Sequence, residues 1–233
     1  MQKAVGSEKA LPRVLIADDH LMFAQVLRDA LQGSYNIVGV VADGRTMVSE
    51  AMKLEPDVIL ADISMPLLNG LDAARRIREQ APKVRFVFLT MQEDPNLAAA
   101  ALELGAVGFV LKQGDEAELL KALELVLQGK SYVTPKLRAE DWAEAKVRAQ
   151  QFSKDMTPRQ RDVLQLLAEG RPMKEVADVL SLSQKTVEFH KHNVMKAFNL
   201  KNNADLVLFA MKHGLISVNP EPASPTKKRP GRD

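Results

Sequence analysis

The sequence predicts an α/β protein with a doubly wound, five-stranded parallel sheet followed by a second, smaller all-α domain. Between residues 11 and 130, short apolar runs alternate five times with segments of helical periodicity, as in βα repeats. These runs are continuously apolar, which is typical of parallel strands that helices cover on both faces. After residue 156 only helical patterns occur.

The predicted strands are short and end at polar residues or chain breakers. They cover residues 14–17, 37–42, 58–61, 84–89 and 106–111. The predicted helices follow the spacing of apolar residues and stop at signals such as Gly33 and Pro56. They cover residues 21–31, 45–54, 71–80, 94–104 and 115–128. The third helix carries a charged face that we expect to be solvated, and its arginines are Arg75, Arg76 and Arg78.

Polar side chains stand where the predicted strands end. Asp18 and Asp19 close the first run, and Asp62 closes the third, within the stretch DVILADISMPLLNG of residues 57–70. A lone aspartate in such a place more often ends a strand or caps a helix. Here Thr90 also follows the fourth strand and Lys112 the fifth, and the carboxyl ends of parallel strands share one edge of a sheet.

Three neighbouring carboxylates repel each other and are costly to bury unless a cation neutralises them. Mg2+ is a hard cation that prefers such oxygen ligands. Together with a hydroxyl and an ammonium group, the set suits a metal-assisted transfer of a phosphoryl group to a carboxylate. In that chemistry, Lys112 and Thr90 contact the phosphoryl oxygens.

The second half of the chain predicts a helix-turn-helix. Thr157 and Pro158 start a helix that Gly170 ends, and further helices are predicted at residues 173–180, 184–198 and 204–213. A short helix, a tight turn at residues 181–183 and a longer polar helix form the motif. Residues 156–233 carry 13 basic and 8 acidic side chains, whereas residues 11–133 carry 12 and 17. This asymmetry indicates that the second half faces nucleic acid.

Composition excludes several classes of function. Cysteine is absent, so thiol catalysis, disulfides and thiolate metal sites are excluded. No apolar run reaches the roughly 18 residues of a membrane span, and the first ten residues lack the apolar core of a signal peptide, so we expect a cytoplasmic protein without a membrane partner. The histidines at positions 190, 192 and 213 lack the neighbouring ligands of a metal site.

Residues 131–155 predict a mobile or partly helical linker with the one tryptophan, Trp142. The alternative that Trp142 docks on one domain and locks the two together stays open. Residues 217–233 are rich in proline and basic side chains, which predicts a disordered tail that attracts DNA without sequence preference.

The first half resembles a response regulator receiver domain, which has a flavodoxin-like fold. The matching motifs are VLIADDH, VILADISMPLLNGLDAARRI, VFLT and GAVGFVLK. The resemblance implies that Asp62 accepts a phosphoryl group from a sensor histidine kinase. It implies that Asp18, Asp19, Asp62 and the backbone carbonyl of Ser64 bind Mg2+. Further implied roles are a switch hydroxyl, an aromatic that repositions on activation and a base that pairs with the phosphate, which are Thr90, Phe109 and Lys112.

Residues 156–214 resemble the LuxR-type DNA-binding domain of the NarL/FixJ response regulators. The matching segments are MTPRQRDVLQLLAEG, KEVADVLSLSQKTVEFHKHNVMKAFNL and NNADLVLFA. The resemblance implies that residues 184–198 form the recognition helix. Its candidate DNA contacts are Lys185, Thr186, Glu188, Phe189, Lys191, His192 and Lys196. Glu188 is a candidate for cytosine readout or for pairing with a neighbouring lysine, and His190 packs or contacts a phosphate.

We therefore expect a bacterial transcription regulator of a two-component system, without enzymatic activity. Its predicted domains are a receiver at 11–130, a linker at 131–155, a helix-turn-helix domain at 156–216 and a tail at 217–233. Its expected partners are the kinase, double-stranded DNA and, when phosphorylated, a second copy of the chain. Two rival functions remain: a phosphatase that uses the same carboxylates, and a DNA-binding protein that is not phosphorylated.

Overall fold

The computed structural model describes residues 10–105, 107–137 and 142–216. Its strands are β1 Arg13–Ala17, β2 Asn36–Val41, β3 Val58–Asp62, β4 Arg85–Thr90, β5 Val107–Leu111 and β6 Tyr132–Val133. Its helices are α1 Leu21–Leu31, α2 Gly44–Leu54, α3 Gly70–Gln80, α4 Pro95–Leu102, α5 Glu116–Leu127, α6 Trp142–Asp155, α7 Pro158–Ala168, α8 Met173–Leu180, α9 Gln184–Ala197 and α10 Asn203–Lys212.

The first half is the predicted doubly wound parallel sheet, in the order β2-β1-β3-β4-β5-β6. The prediction of five strands is wrong by one, because β6 joins the edge of the sheet. It pairs with β5 over only two residues, with Tyr132 opposite Gly108 and Val133 opposite Phe109. A strand of two residues is too short to show any periodicity in the sequence.

Helices cover both faces of the sheet, and alternate residues of each strand enter the two cores. On β1, Val14 and Ile16 pack on one side with α1 and α5. Leu15 and Ala17 pack on the other side, with α2, α3 and α4. Because both faces are buried, the strands are continuously apolar until they reach their carboxyl ends.

The second half is a four-helix unit, as predicted. A capping box between Thr157 and Gln160 begins α7, and the Ser183 side chain caps α9. Ser181, with a φ of 54°, makes the left-handed turn between α8 and α9. Because these capping residues can be recognised in the sequence itself, the starts of the helices are predictable from it.

Helix α6 connects the two halves and packs on both. Its Ala145 and Ala149 lie against Ala99 of α4, and small side chains let the two helices approach closely. At its other end, Phe152 stacks on His213 with ring centroids 4.2 Å apart. The side chain of Trp142 and the predicted tail of residues 217–233 lie outside the described residues.

Within the described ranges, every helix is too short or too polar to cross a lipid bilayer.

The stacked His213 makes stability depend on pH. Burial and the neighbouring Lys212 lower the pKa of His213 from 6.5 to about 4, although Asp94 opposes the shift. Between these values the unfolded chain binds a proton that the folded chain does not, so the free energy of unfolding falls as the pH is lowered from about 6.5 to about 4. We predict that His213→Phe, which keeps a stacked ring, removes this part of the acid destabilisation. Urea unfolding at pH about 7.5 and about 5 measures it.

The matched control is His192→Phe, because His192 is exposed on α9. It should retain the pH dependence of the wild type. Equal slopes in the wild type and in His213→Phe would contradict the role of His213.

Candidate functional site

The parallel register brings the polar ends of the strands to one edge of the sheet. Ala17 of β1 pairs with Ala61 of β3, so Asp18 and Asp62 follow at the same level. Asp62 pairs in turn with Leu89, which directly precedes Thr90. Asp62 closes the fully buried strand β3 and is itself 5% exposed. The sequence therefore places a carboxylate at the end of a strand from which water is excluded.

Lys112 holds two buried carboxylates together. Its Nζ lies 2.7 Å from Asp18 Oδ2 and 3.0 Å from Asp62 Oδ2. The β5 strand delivers it, since the Lys112 N–H donates to the Thr90 carbonyl at 2.8 Å. Its ammonium also lies over the Phe23 ring, 4.9 Å from the centroid. The predicted convergence of these strand ends is thus what the fold contains.

Burial governs the protonation of this cluster. It raises the pKa of Asp62, and the Lys112 ammonium opposes the rise while the Asp18 carboxylate adds to it. The pKa of Asp19 is also raised by burial, with His20 opposing. Burial alone would lower the pKa of Lys112, but the Asp62 and Asp18 carboxylates outweigh it and raise the pKa. A further cation at this edge would relieve the repulsion between the carboxylates.

The acidic residues fit a divalent cation. Ligand atoms of Asp18, Asp19, His20 and Asp62 all lie within 4.8 Å of one another. The Asp18 Oδ2 and Asp19 Oδ1 atoms are buried without a hydrogen bond of good geometry, although Lys112 and His20 stand at ion-pair distance from them. A buried oxygen without a hydrogen bond is costly and suits a metal ligand. Carboxylate oxygens are the ligands that Mg2+ prefers.

The other predicted site residues are Ser64, Thr90 and Phe109. The Ser64 N–H donates to Asp62 Oδ1 at 3.3 Å, so the Ser64 backbone contacts the Asp62 carboxylate directly. Thr90 is buried, and its Oγ1 accepts from the Gln92 N–H at 3.0 Å. Phe109 is fully buried in the core on the α2, α3 and α4 side of the sheet. In this state its ring is part of that core.

Residues 63–69, which we call the acceptor loop, leave β3 through a tight backbone contact. The Gly70 N–H donates to the Ile63 carbonyl at 2.8 Å. A Cβ at position 70 would lie 2.1 Å from the Asp62 carbonyl oxygen, so a side chain cannot fit there. The loop therefore turns directly beside Asp62.

The predicted recognition helix is α9, which the structure ends at Ala197. Most of its candidate contacts are exposed, and Phe189 has 60% of its surface accessible. Val187 and Val194 face the core of the helical unit instead. The Lys191 Nζ donates to Asn203 Oδ1 at 2.8 Å. Exposed candidates are Lys185, Glu188, Phe189, His192 and Lys196, and partly buried ones are Thr186, His190 and Lys191.

The interface between the two halves was missed from the sequence. Arg161 and Gln165 of α7 are buried and bond to Asp72 and Asn69 of the first half. Arg76 pairs with Asp162, so the expectation that the arginines of α3 form a solvated face is wrong for Arg76. Its guanidinium pairs with a buried carboxylate across the interface, although 34% of the Arg76 side chain is exposed. A usable signal was the polar spacing of α7, where Arg161, Gln165 and Glu169 recur at every fourth position.

Two protein families match the two halves. The response regulator receiver domain matches residues 14–124. The luxR family of bacterial regulatory proteins matches residues 154–210. The first range contains the acidic cluster, and the second contains α7 to α9 and most of α10.

Relatives match both halves together. The transcriptional regulatory protein MctR of Rhizobium johnstonii is 30% identical over 213 residues, which cover 91% of this chain and 98% of MctR. The oxygen regulatory protein NreC of Staphylococcus carnosus is 32% identical over 216 residues, or 88% of this chain and 99% of NreC. The two domains therefore occur together in one chain in these relatives.

Solved structures give the same result. The response regulator RcsB of Salmonella typhimurium aligns with a TM-score of 0.61 at 28% identity, over 88% of this chain and 99% of that chain. RcsB from Salmonella enterica serovar Typhimurium bound to the promoter rprA, in the presence of the phosphomimetic BeF3−, aligns with a TM-score of 0.57 at 29% identity, over 85% and 98%.

Removing the ammonium should destabilise the acidic cluster. In Lys112→Met, Asp18 and Asp62 face each other at the buried edge without a cation, and the pKa of Asp62 rises further. Because a raised pKa in the folded chain costs stability as the pH increases, we predict a loss of about 3 kcal/mol at neutral pH. The loss should shrink as the pH is lowered towards the ordinary range of a carboxyl group. Chemical unfolding at two pH values measures both quantities.

Lys83→Met, at an exposed position of the α3–β4 connection, is the control and should change stability by less than about 0.5 kcal/mol. If added Mg2+ stabilises neither Lys112→Met nor this control, which keeps the whole acidic cluster, the cation fit of the cluster is contradicted.

Proposed function

Since the chain belongs to the response regulators that join a receiver domain to a LuxR-type DNA-binding domain, we propose that phosphorylation of Asp62 switches its activity as a transcriptional regulator. One observation carries the proposal: Asp62 is buried at the edge of the sheet, and the Lys112 ammonium pairs with both its carboxylate and that of Asp18. A buried carboxylate beside an ammonium group and two further carboxylates suits an acceptor of a phosphoryl group.

The proposed reaction moves a phosphoryl group from a histidine of a sensor kinase to Asp62. The phosphorus–nitrogen bond breaks as an Asp62 carboxylate oxygen forms a bond to phosphorus, and the histidine nitrogen keeps the electron pair. Lys112 pairs with the phosphoryl oxygens and Thr90 donates its hydroxyl hydrogen to one of them. Asp18, Asp19, Asp62 and the Ser64 carbonyl would hold Mg2+, which supplies charge neutralisation when bound.

The switch that we propose connects this chemistry to the second half. Thr90 and Phe109 rearrange around the phosphoryl group, which alters the surface near α4 and β5. The two halves then exchange their docked arrangement for one that favours a homodimer on DNA. Such a population shift requires the phosphoryl group to interact differently with the two arrangements. Operator half-sites would follow the two-fold symmetry of the dimer.

In DNA recognition, α9 enters the major groove. Lys185, Lys191 and Lys196 contact phosphates and give the affinity its salt dependence, while Thr186, Phe189 and His192 lie on the same helix for further contacts. Glu188 is exposed, and no ion pair with it is found in the described part of the chain. This favours base readout over pairing with a neighbouring lysine.

The domain assignment follows the same division. We propose a receiver at residues 11–130, a linker at 131–155, a DNA-binding domain at 156–216 and a basic tail at 217–233, in a cytoplasmic protein that is a regulator and not an enzyme. A phosphatase remains the rival function. Turnover of a small phosphate ester by the purified chain would favour it.

Acetyl phosphate with Mg2+ should phosphorylate the wild type at Asp62. We predict a mass gain of one phosphoryl group, about 80 Da, and no gain in Asp62→Asn, because an amide cannot accept the group. Intact-mass measurement decides this. Asp57→Asn is the control, since Asp57 bonds the Arg13 N–H at the opposite edge of the sheet, and it should gain the same mass as the wild type. A wild type without mass gain would contradict the proposed function.

Glu188→Ala should relax base preference at one position of the half-site, by about 1–3 kcal/mol in discrimination, because a carboxylate accepts from cytosine N4. Competition binding against operators that vary at each position measures this. Lys185→Ala is the comparison: it should weaken binding to all sequences and reduce the salt slope by about 1. An unchanged preference in Glu188→Ala would exclude the readout role.

A further inference from the structure

Gln165 of α7 is buried with all of its hydrogen-bonding capacity used. Its Oε1 accepts from the Asn69 N–H at 2.8 Å and from Asn69 Nδ2 at 3.3 Å. Its Nε2 donates to the Met65 carbonyl and to Glu169 Oε1, both at 2.9 Å. Three of these four bonds go to the acceptor loop. One side chain of the DNA-binding domain therefore satisfies backbone groups at both ends of that loop.

Glu169 holds the middle of the loop. Its Oε1 accepts from the Leu67 N–H at 2.9 Å. Leu67 has a φ of 65°, a left-handed conformation that is unfavourable for a leucine and persists only where its surroundings hold it. The Leu67 side chain packs into the core formed by Val163 and Val176 of the DNA-binding domain. Both supports of this strained residue come from the other half of the chain.

The contacts continue along α3. Arg161 bonds to Asp72 at 2.9 Å, and both residues are buried. Burial alone would raise the pKa of Asp72, but the Arg161 and Arg75 guanidiniums outweigh it and lower the pKa. The pair joins α7 to α3 just after the loop. Truncating either partner would be costly, because the other charge would stay buried without a partner.

The held loop begins beside the acceptor carboxylate. The Ser64 N–H contacts Asp62, and Ser64 directly precedes Met65, whose carbonyl bonds to Gln165. A backbone group that α7 holds therefore lies one residue from the group that contacts Asp62. The loop thus makes one direct connection between the acidic cluster and the DNA-binding domain.

We infer that Gln165 and Glu169 are positioning residues of the phosphoacceptor site, supplied by the DNA-binding domain. They hold the acceptor loop in a geometry that disfavours the phosphorylated state. The direction of this effect rests on the proposed function. If phosphorylation weakens the docking of the two halves, docking weakens the binding of a phosphoryl mimic by the same factor, because coupling between two sites is reciprocal.

Gln165→Leu tests the inference with little change in side-chain volume. When the halves are docked, it leaves the Met65 carbonyl and the Asn69 N–H without partners, whereas water satisfies both groups once the halves separate. The variant should therefore favour separation. Beryllofluoride mimics a phosphoryl group. In the presence of Mg2+, the beryllofluoride concentration that half-saturates the variant should be at least about fivefold lower than the one that half-saturates the wild type. Fluorine NMR measures the bound mimic, and X-ray scattering measures the separation.

Two variants of Glu169 extend the test if Gln165→Leu does not fold. Glu169→Ala removes the acceptor of the Leu67 N–H and should act in the same direction. Glu169→Gln keeps an acceptor oxygen for the Leu67 N–H, but its amide group replaces the carboxylate oxygen that pairs with Arg171 Nε at 2.9 Å. It should therefore lie between the wild type and Glu169→Ala, a partial rescue that nonspecific loosening would not give. Lys174→Ala, at an exposed position on α8, is the control and should change neither quantity.

The inference is overturned if the wild type binds beryllofluoride and folded Gln165→Leu or Glu169→Ala binds it equally well. It is also overturned if Glu169→Gln matches Glu169→Ala. A wild type that takes up neither beryllofluoride nor a phosphoryl group would instead remove the proposed function on which the direction rests, so the two failures are distinguishable.

Discussion

Two buried carboxylates share one ammonium group at the edge of the sheet, and the receiver half is arranged around that neutralisation. Asp18 and Asp62 end adjacent parallel strands, so the sheet itself brings their charges together. Lys112 reaches both because β5 ends at the same level. Burial strengthens each of these interactions, since the surroundings are poor in water. The structure thus gathers two carboxylates and one ammonium group, a net negative charge, at the carboxyl edge of the sheet.

The second organising feature is the choice of surface through which the two halves meet. The contact uses the acceptor loop, α3 and α7, and it is built largely from buried polar groups: Asn69, Asp72, Arg161, Asp162 and Gln165. Such an interface is specific, because each group needs its partner, and readily reversible, because water can satisfy the same groups after separation. An apolar interface of the same size would lack this reversibility.

Much of the fold was predictable because its signals are local. Helix α1 has the bounds that its apolar spacing predicts, and the strand ends at Asp18, Asp62 and Lys112 lie together as the apolar runs predict. The sixth strand was not predictable, since two residues carry no period. Nor was the partnership of Gln165 with Asn69, which lie 96 positions apart. Neither residue type signals its partner, and only the tertiary arrangement creates the need for the bond.

The exposure of α9 changes what docking can control. The receiver contacts α7 and α8, for example through Arg45 on the Val179 carbonyl, while Lys185, Glu188 and Phe189 remain accessible to solvent. The side chains proposed to contact DNA are therefore accessible to solvent while the two halves are docked. What the bulk of a docked receiver limits is where a second chain can be placed beside the first. Under the proposed function, docking would act on cooperativity between half-sites rather than on the intrinsic affinity of one helix for one half-site.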